Sequence, residues 1–175
     1  MAHQPPPNNL RQASRFITDH NAEGLAIFNK DIPETVSATI IPTGDTLYLD
    51  YVTNEFPSDP SKDLATYQHY LTNTPGITVP GGTVLSMIDV APASDGPLHR
   101  TVSLDYAVVI EGDVELVLDS GEVRTMRRGD IVVQRGTMHR WRNVSQTEWA
   151  RVLFVLQDSK PVKVAGGTLK EHFEM

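Results

Sequence analysis

PLHRTVSLDYAVVIEG, residues 97–112, sets an imidazole, two hydroxyls and a carboxylate at alternate positions: His99, Thr101, Ser103 and Asp105. Side chains of a β-strand alternate between its faces, so residues two apart point the same way. A strand over 98–110 therefore projects this polar row to one side. The other side carries Val102, Leu104, Tyr106, Val108 and Ile110, which reads as a buried apolar face. The polar row holds the residue types most used for metal binding and proton transfer, so function is sought there. A second histidine, His139, lies forty residues on in GDIVVQRGTMHRWRN. Alternation after it puts Trp141 and Asn143 on its own face, with Arg140 and Arg142 opposite.

Working outward, short apolar runs alternate with turn residues. Arg15–Ile17 and Leu25–Phe28 flank polar Thr18–Gly24 and predict a hairpin; Thr46–Val52 predicts another strand. Leu64, Tyr67 and Leu71 recur at helical intervals behind Ser and Asp capping candidates, which predicts one short helix over 61–72, stopped by the approach to Pro75. From Gly81 the pattern is β throughout: Thr83–Val90, the His99 strand, Val114–Leu118, Glu122–Met126, Ile131–Gln134, His139–Val144 and Ala150–Leu156. Asp119-Ser120-Gly121 and Arg128-Gly129-Asp130 mark turns between them. Many short strands at this spacing predict an all-β sandwich or barrel.

Composition narrows the possible functions. The chain has 175 residues, 39% hydrophobic and 21% charged, which suits one globular domain over 15–175 behind a flexible or extended Pro-rich arm, 1–14. A formal net charge of -7 argues against nucleic acid as partner. There is no cysteine, hence no disulfide or thiolate chemistry. No apolar run reaches membrane-spanning length, and MAHQPPPNNLRQ has no signal-peptide core, so a cytoplasmic protein without a membrane partner is expected. Asn143-Val144-Ser145 matches a glycosylation sequon, read as a chance match.

The two motifs resemble those of the cupin superfamily. Gly96, His99, Asp105 and Gly112 are similar to its first motif, with Thr101 at the second histidine position and Asp105 at the glutamate position. Gly129, Gly136, His139 and Asn143 are similar to its second, with Gln134 where a proline would stand. The resemblance covers about 80–157 and implies a double-stranded β-helix (jelly-roll) barrel around a small-molecule site. It implies a divalent metal (Fe, Mn or Zn) held by His99, Asp105 and His139, or, without metal, acid–base catalysis by the same three residues. Thr101, Ser103, Gln134 and Trp141 are expected to bind substrate. The expected function is lyase-like: decarboxylation, dehydration, isomerisation or cyclisation of an oxygen-rich acid or polyketide-type metabolite. The alternatives are a non-heme metal-dependent dioxygenase and a non-catalytic ligand-binding barrel. Tyr106, Val108 and Ile110, apolar on the barrel's outside, lead to the expectation of a homodimer.

Overall fold

The computed structural model describes residues 5–174. Residues 1–4 of the arm, with His3, and Met175 lie outside the described residues. In chain order the elements are β1 (Thr18–His20), β2 (Ala26–Phe28), β3 (Ala38–Ile40), β4 (Thr46–Thr53) and α1 (Asp63–Thr72). Next come β5 (Thr83–Val90), β6 (His99–Arg100), β7 (Ser103–Glu111), β8 (Val114–Leu118), β9 (Val123–Met126) and β10 (Ile131–Arg135). The last are β11 (His139–Arg142), β12 (Ala150–Asp158), β13 (Lys163–Val164), β14 (Gly167–Thr168) and β15 (His172–Phe173). A six-stranded sheet, β10-β7-β12-β5-β4-β3, and a five-stranded one, β15-β6-β11-β8-β9, form the barrel. All their pairings are antiparallel.

The expected strand over 98–110 is two strands in different sheets. β6 pairs with β11, and β7 runs between β10 and β12. Thr101 and Val102 make the crossing, with the Thr101 side chain still turned inward and the residue only 3% exposed. The apolar face is the outer one, as the barrel reading places Tyr106, Val108 and Ile110. Val102, Leu104, Val108 and Ile110 are half-buried, while Tyr106 is 40% exposed. The alternate row continues inward as Ala107 and Val109, which join Val90, Val114, Ala150 and Val152 in a core at one end of the barrel. On the outside, strand register lines up Ile131, Val108 and Leu153, then Val133, Tyr106 and Val155. Ile131 and Val133, on the edge strand β10, are largely exposed.

α1 starts later than its pattern suggests. Lys62 holds the N-cap position without a side-chain bond, since its ammonium offers no acceptor; Asp59 accepts instead from the Ser61 backbone N–H (3.0 Å) and the Lys62 ammonium (2.7 Å). Tyr67 is the helix's buried anchor, donating to the Leu49 carbonyl at 2.7 Å, whereas Leu71 faces solvent. The N-terminal hairpin also shifts: β1 occupies Thr18–His20, part of the expected turn, which contracts to Asn21–Leu25. β3 and β13–β15 are too short to leave a periodic signal.

Residues 5–14 lie along the six-stranded sheet. The Trp149 indole donates to the Pro6 carbonyl (3.1 Å), and Asn8 Nδ2 donates to Asp89 Oδ2 (2.6 Å). Beneath them Arg151 and Asp89 form a buried bidentate pair at 2.5 and 2.7 Å, and Arg151 also donates to the Arg11 carbonyl (2.7 Å). The Tyr48 hydroxyl adds a bond to Asp89 at 3.2 Å. At the β7–β8 turn Gly112 has φ +71°, and a Cβ there would meet that of Ala150 at 2.9 Å. Glycine alone meets both demands.

Candidate active site

β6 and β11 set His99 and His139 directly opposite each other. Their ring centroids are 4.5 Å apart, with planes inclined at 46°. Nδ1 of His99 lies 2.9 Å from the Pro97 carbonyl, and Nδ1 of His139 lies 2.9 Å from the Thr137 carbonyl. A carbonyl only accepts, so each Nδ1 carries hydrogen, and in the neutral ring Nε2 is the acceptor. Two main-chain carbonyls thus orient the two imidazoles. His139 is 4% exposed. Burial, with the neighbouring His99 adding to it, pushes its pKa down to about 4, against the pull of the Thr137 bond.

Between the sheets lies a cavity of about 470 Å³. Its walls are mainly apolar: Leu47, Leu49, Val84, Ile88 and Phe154 come from the six-stranded sheet, Trp141 and Phe173 from the five-stranded one. His99, Thr101, Asp105, Gln134 and His139 supply polar groups to it. Asp105 stands across from Gln134 in the β7–β10 ladder and is 4% exposed. One of its oxygens, Oδ1, has no hydrogen-bond partner. Burial pushes its pKa up to about 6, although the Ser103 and Thr101 hydroxyls oppose the shift.

The expected substrate-binding residues divide. Thr101, Gln134 and Trp141 line the cavity, but Ser103 does not; it is 1% exposed and shares a 2.7 Å hydrogen bond with the Thr101 hydroxyl. Gln134 donates its amide to the Thr137 hydroxyl and carbonyl, which fixes the side chain. Trp141 meets His139 and Phe154 edge-on, at 6.5 and 5.5 Å. Asn143 is a structural tie, donating to the Val90 and Glu148 carbonyls at 3.1 and 2.9 Å. No sequence pattern marks Phe173 as a site residue. It lies parallel to the His99 ring, 5.4 Å away with a 4° tilt. A two-residue strand gives no periodicity, so only its aromatic character could have drawn attention to it.

The metal implied by the family resemblance needs three ligands from this set. Two imidazoles held at Nδ1 with Nε2 free are in ligand form. Among the described residues, however, no three His, Cys, Asp or Glu side chains are grouped so as to hold a metal ion. His99, Asp105 and His139 therefore do not fit as a three-ligand set.

Two antiparallel sheets closed over an apolar cavity, with facing histidines on its wall, define a jelly-roll barrel with an interior cavity. A Cupin domain family model matches residues 86–156. Phomopsin biosynthesis cluster protein C' of Diaporthe leptostromiformis is 48% identical over 162 residues, 91% of this chain and 86% of that protein. The cupin-domain-containing oxidoreductase virC of Hypocrea virens is 39% identical over 161 residues, 91% and 82% of the two chains. An RmlC-like cupin from Shewanella frigidimarina shares the fold, with a TM-score of 0.50 at 12% identity, covering 74% of this chain and 90% of that one. The chain belongs to the cupin superfamily. No helix among the described residues is long and apolar enough to cross a membrane.

His139 gives a prediction independent of substrate. Its pKa falls from 6.5 to about 4 on folding, so below pH 6.5 the unfolded chain binds a proton that the native state refuses. Its contribution is complete above pH 6.5 and is lost as pH falls through 4, by about 3 kcal/mol in all. His139→Gln is expected to flatten this acid-side loss in urea titrations between pH 7 and 4. An unchanged slope would mean that His139 titrates normally.

Proposed function

We propose that the chain is a secondary-metabolism cupin enzyme that moves a proton on an apolar, oxygen-bearing substrate of polyketide type, in a lyase- or isomerase-like reaction. One observation carries this reading: a buried carboxyl with an unpartnered oxygen faces an apolar cavity beside two imidazoles held as acceptors. A base works best with its pKa near the working pH, and burial brings Asp105 to about 6. At pH 7 its carboxylate takes the proton α to a substrate carbonyl. The acid so formed returns the proton to a leaving hydroxyl, giving dehydration, or to another carbon, giving isomerisation. Nε2 of His139 and of His99 accepts hydrogen bonds from substrate hydroxyls, and Thr101 and Gln134 position its oxygens. The apolar walls favour a ring-bearing metabolite over a small, highly charged acid. The relative named as a phomopsin biosynthesis cluster protein supports a place in secondary metabolism.

The test is turnover of cyclic aryl β-hydroxy ketones, read as loss of water by mass spectrometry. Wild type is expected to form the enone, and His139→Ala to lose turnover or binding. If His139→Ala leaves both intact, this cavity is not the active site. Relatives named as oxidoreductases favour a second reading, metal-dependent oxidation. That reading requires ligands beyond the two imidazoles, and oxygen uptake on adding Fe(II) together with substrate would single it out.

A further inference from the structure

We propose that Phe173 is a specificity-determining residue, closing the mouth of the cavity over a planar, conjugated ring. The inference rests on the cavity being the substrate site and adds the class of ring it selects. Phe173 lines the cavity yet is 41% exposed, so it stands at the boundary between cavity and solvent. Its ring continues an aromatic wall. Phe173 stacks on His99, His99 faces His139, His139 meets Trp141 edge-on, and Trp141 meets Phe154. Such a wall offers π faces and edges to a flat ring and gives a puckered, saturated ring of similar size only area.

The segment holding Phe173 is lightly attached. β15 pairs with β6 through two residue pairs, His172 with Arg100 and Phe173 with His99. The Glu174 N–H adds a bond to the Leu98 carbonyl at 2.9 Å, and Arg100 adds a long one, 3.4 Å, to the Lys170 carbonyl. Both residues of β15 are exposed, so little buried surface opposes their release. A bound flat ring would touch the same aromatic wall and hold this segment down. Phe173 thus contacts substrate directly while stacked on the His99 ring.

The experiment is calorimetric titration of the full chain with 2-naphthol and with its saturated analogue, decahydro-2-naphthol. Wild type is expected to prefer the aromatic alcohol by about tenfold or more, the size of a good aromatic contact. Phe173→Leu is expected to lose most of that preference while binding the saturated analogue as before, and Phe173→Tyr to restore it. Unchanged thermal melting of both variants would exclude a folding defect. If wild type shows the preference and Phe173→Leu retains it, this inference falls while the cavity's function stands. If wild type binds neither alcohol, the inference and the reading of the cavity as a ring-binding site fall together.

Discussion

Asp105→Asn is expected to raise the stability of the protein at pH 7 by about 3 kcal/mol and to cut turnover by a hundred- to ten-thousandfold. Both effects have one cause. Burial among apolar walls lifts the Asp105 pKa from 3.8 to about 6. Between these values the native state retains a proton that the unfolded chain has released. The carboxyl's contribution is therefore fully present below pH 3.8 and lost as pH rises through 6. At pH 7 the whole loss has been incurred, since the buried carboxylate has Oδ1 unpartnered and only the Ser103 and Thr101 hydroxyls to oppose the cost. Asparagine is nearly the same shape and always neutral, so it removes that loss together with the base. Chemical denaturation at pH 7 measures the gain. The kcat/KM of wild type should fall on the acid side with an apparent pKa near 6. A destabilised Asp105→Asn variant, or an acid limb near 4, would show the carboxyl to be an ordinary one.

Arg151→Met should destabilise the fold by about 3–5 kcal/mol. Arg151 and Asp89 are joined by two charge-assisted bonds, and Asp89 is 0% exposed. Removing the guanidinium alone leaves a buried carboxylate with only Tyr48 and Asn8 as donors. It also frees the Arg11 carbonyl, which helps to hold the N-terminal segment. Replacing both partners, as Asp89→Leu with Arg151→Met, removes the uncompensated charge and should recover most of the loss. The two denaturation midpoints decide the matter. A double variant no better than Arg151→Met would mean that the damage comes from lost packing, not from the stranded charge.

Much of the barrel was legible because β side chains alternate and turns have their own chemistry. Thr46–Thr53, Thr83–Val90 and Ala150–Asp158 fall where the apolar runs lie, to within a few residues. The His99–Asp105 row located the cavity, and His139 joined it as expected. The break at Thr101 and Val102 was hidden, since a strand that changes sheets without turning its side chains keeps its alternation. The faces themselves fall as the barrel reading places them: the polar row leads inward into Ala107 and Val109, and Tyr106, Val108 and Ile110 lie on the outer surface. Ser103 reads as a cavity group by parity, but its hydroxyl is bonded to Thr101. Phe173, sixty-eight residues beyond Asp105, reaches the site through a two-residue pairing that no local pattern encodes.

The role of Asp105 is tested most directly by hydrogen exchange on a substrate-like ketone that has no leaving group. In D2O at pH 7, 1-tetralone carries exchangeable hydrogens on the carbon next to its carbonyl, and proton NMR reads their replacement. Wild type is expected to accelerate that exchange well above the buffer rate. Asp105→Asn is expected to bind the ketone and leave exchange at the buffer rate. Exchange by Asp105→Asn at the wild-type rate would contradict proton transfer by this carboxyl.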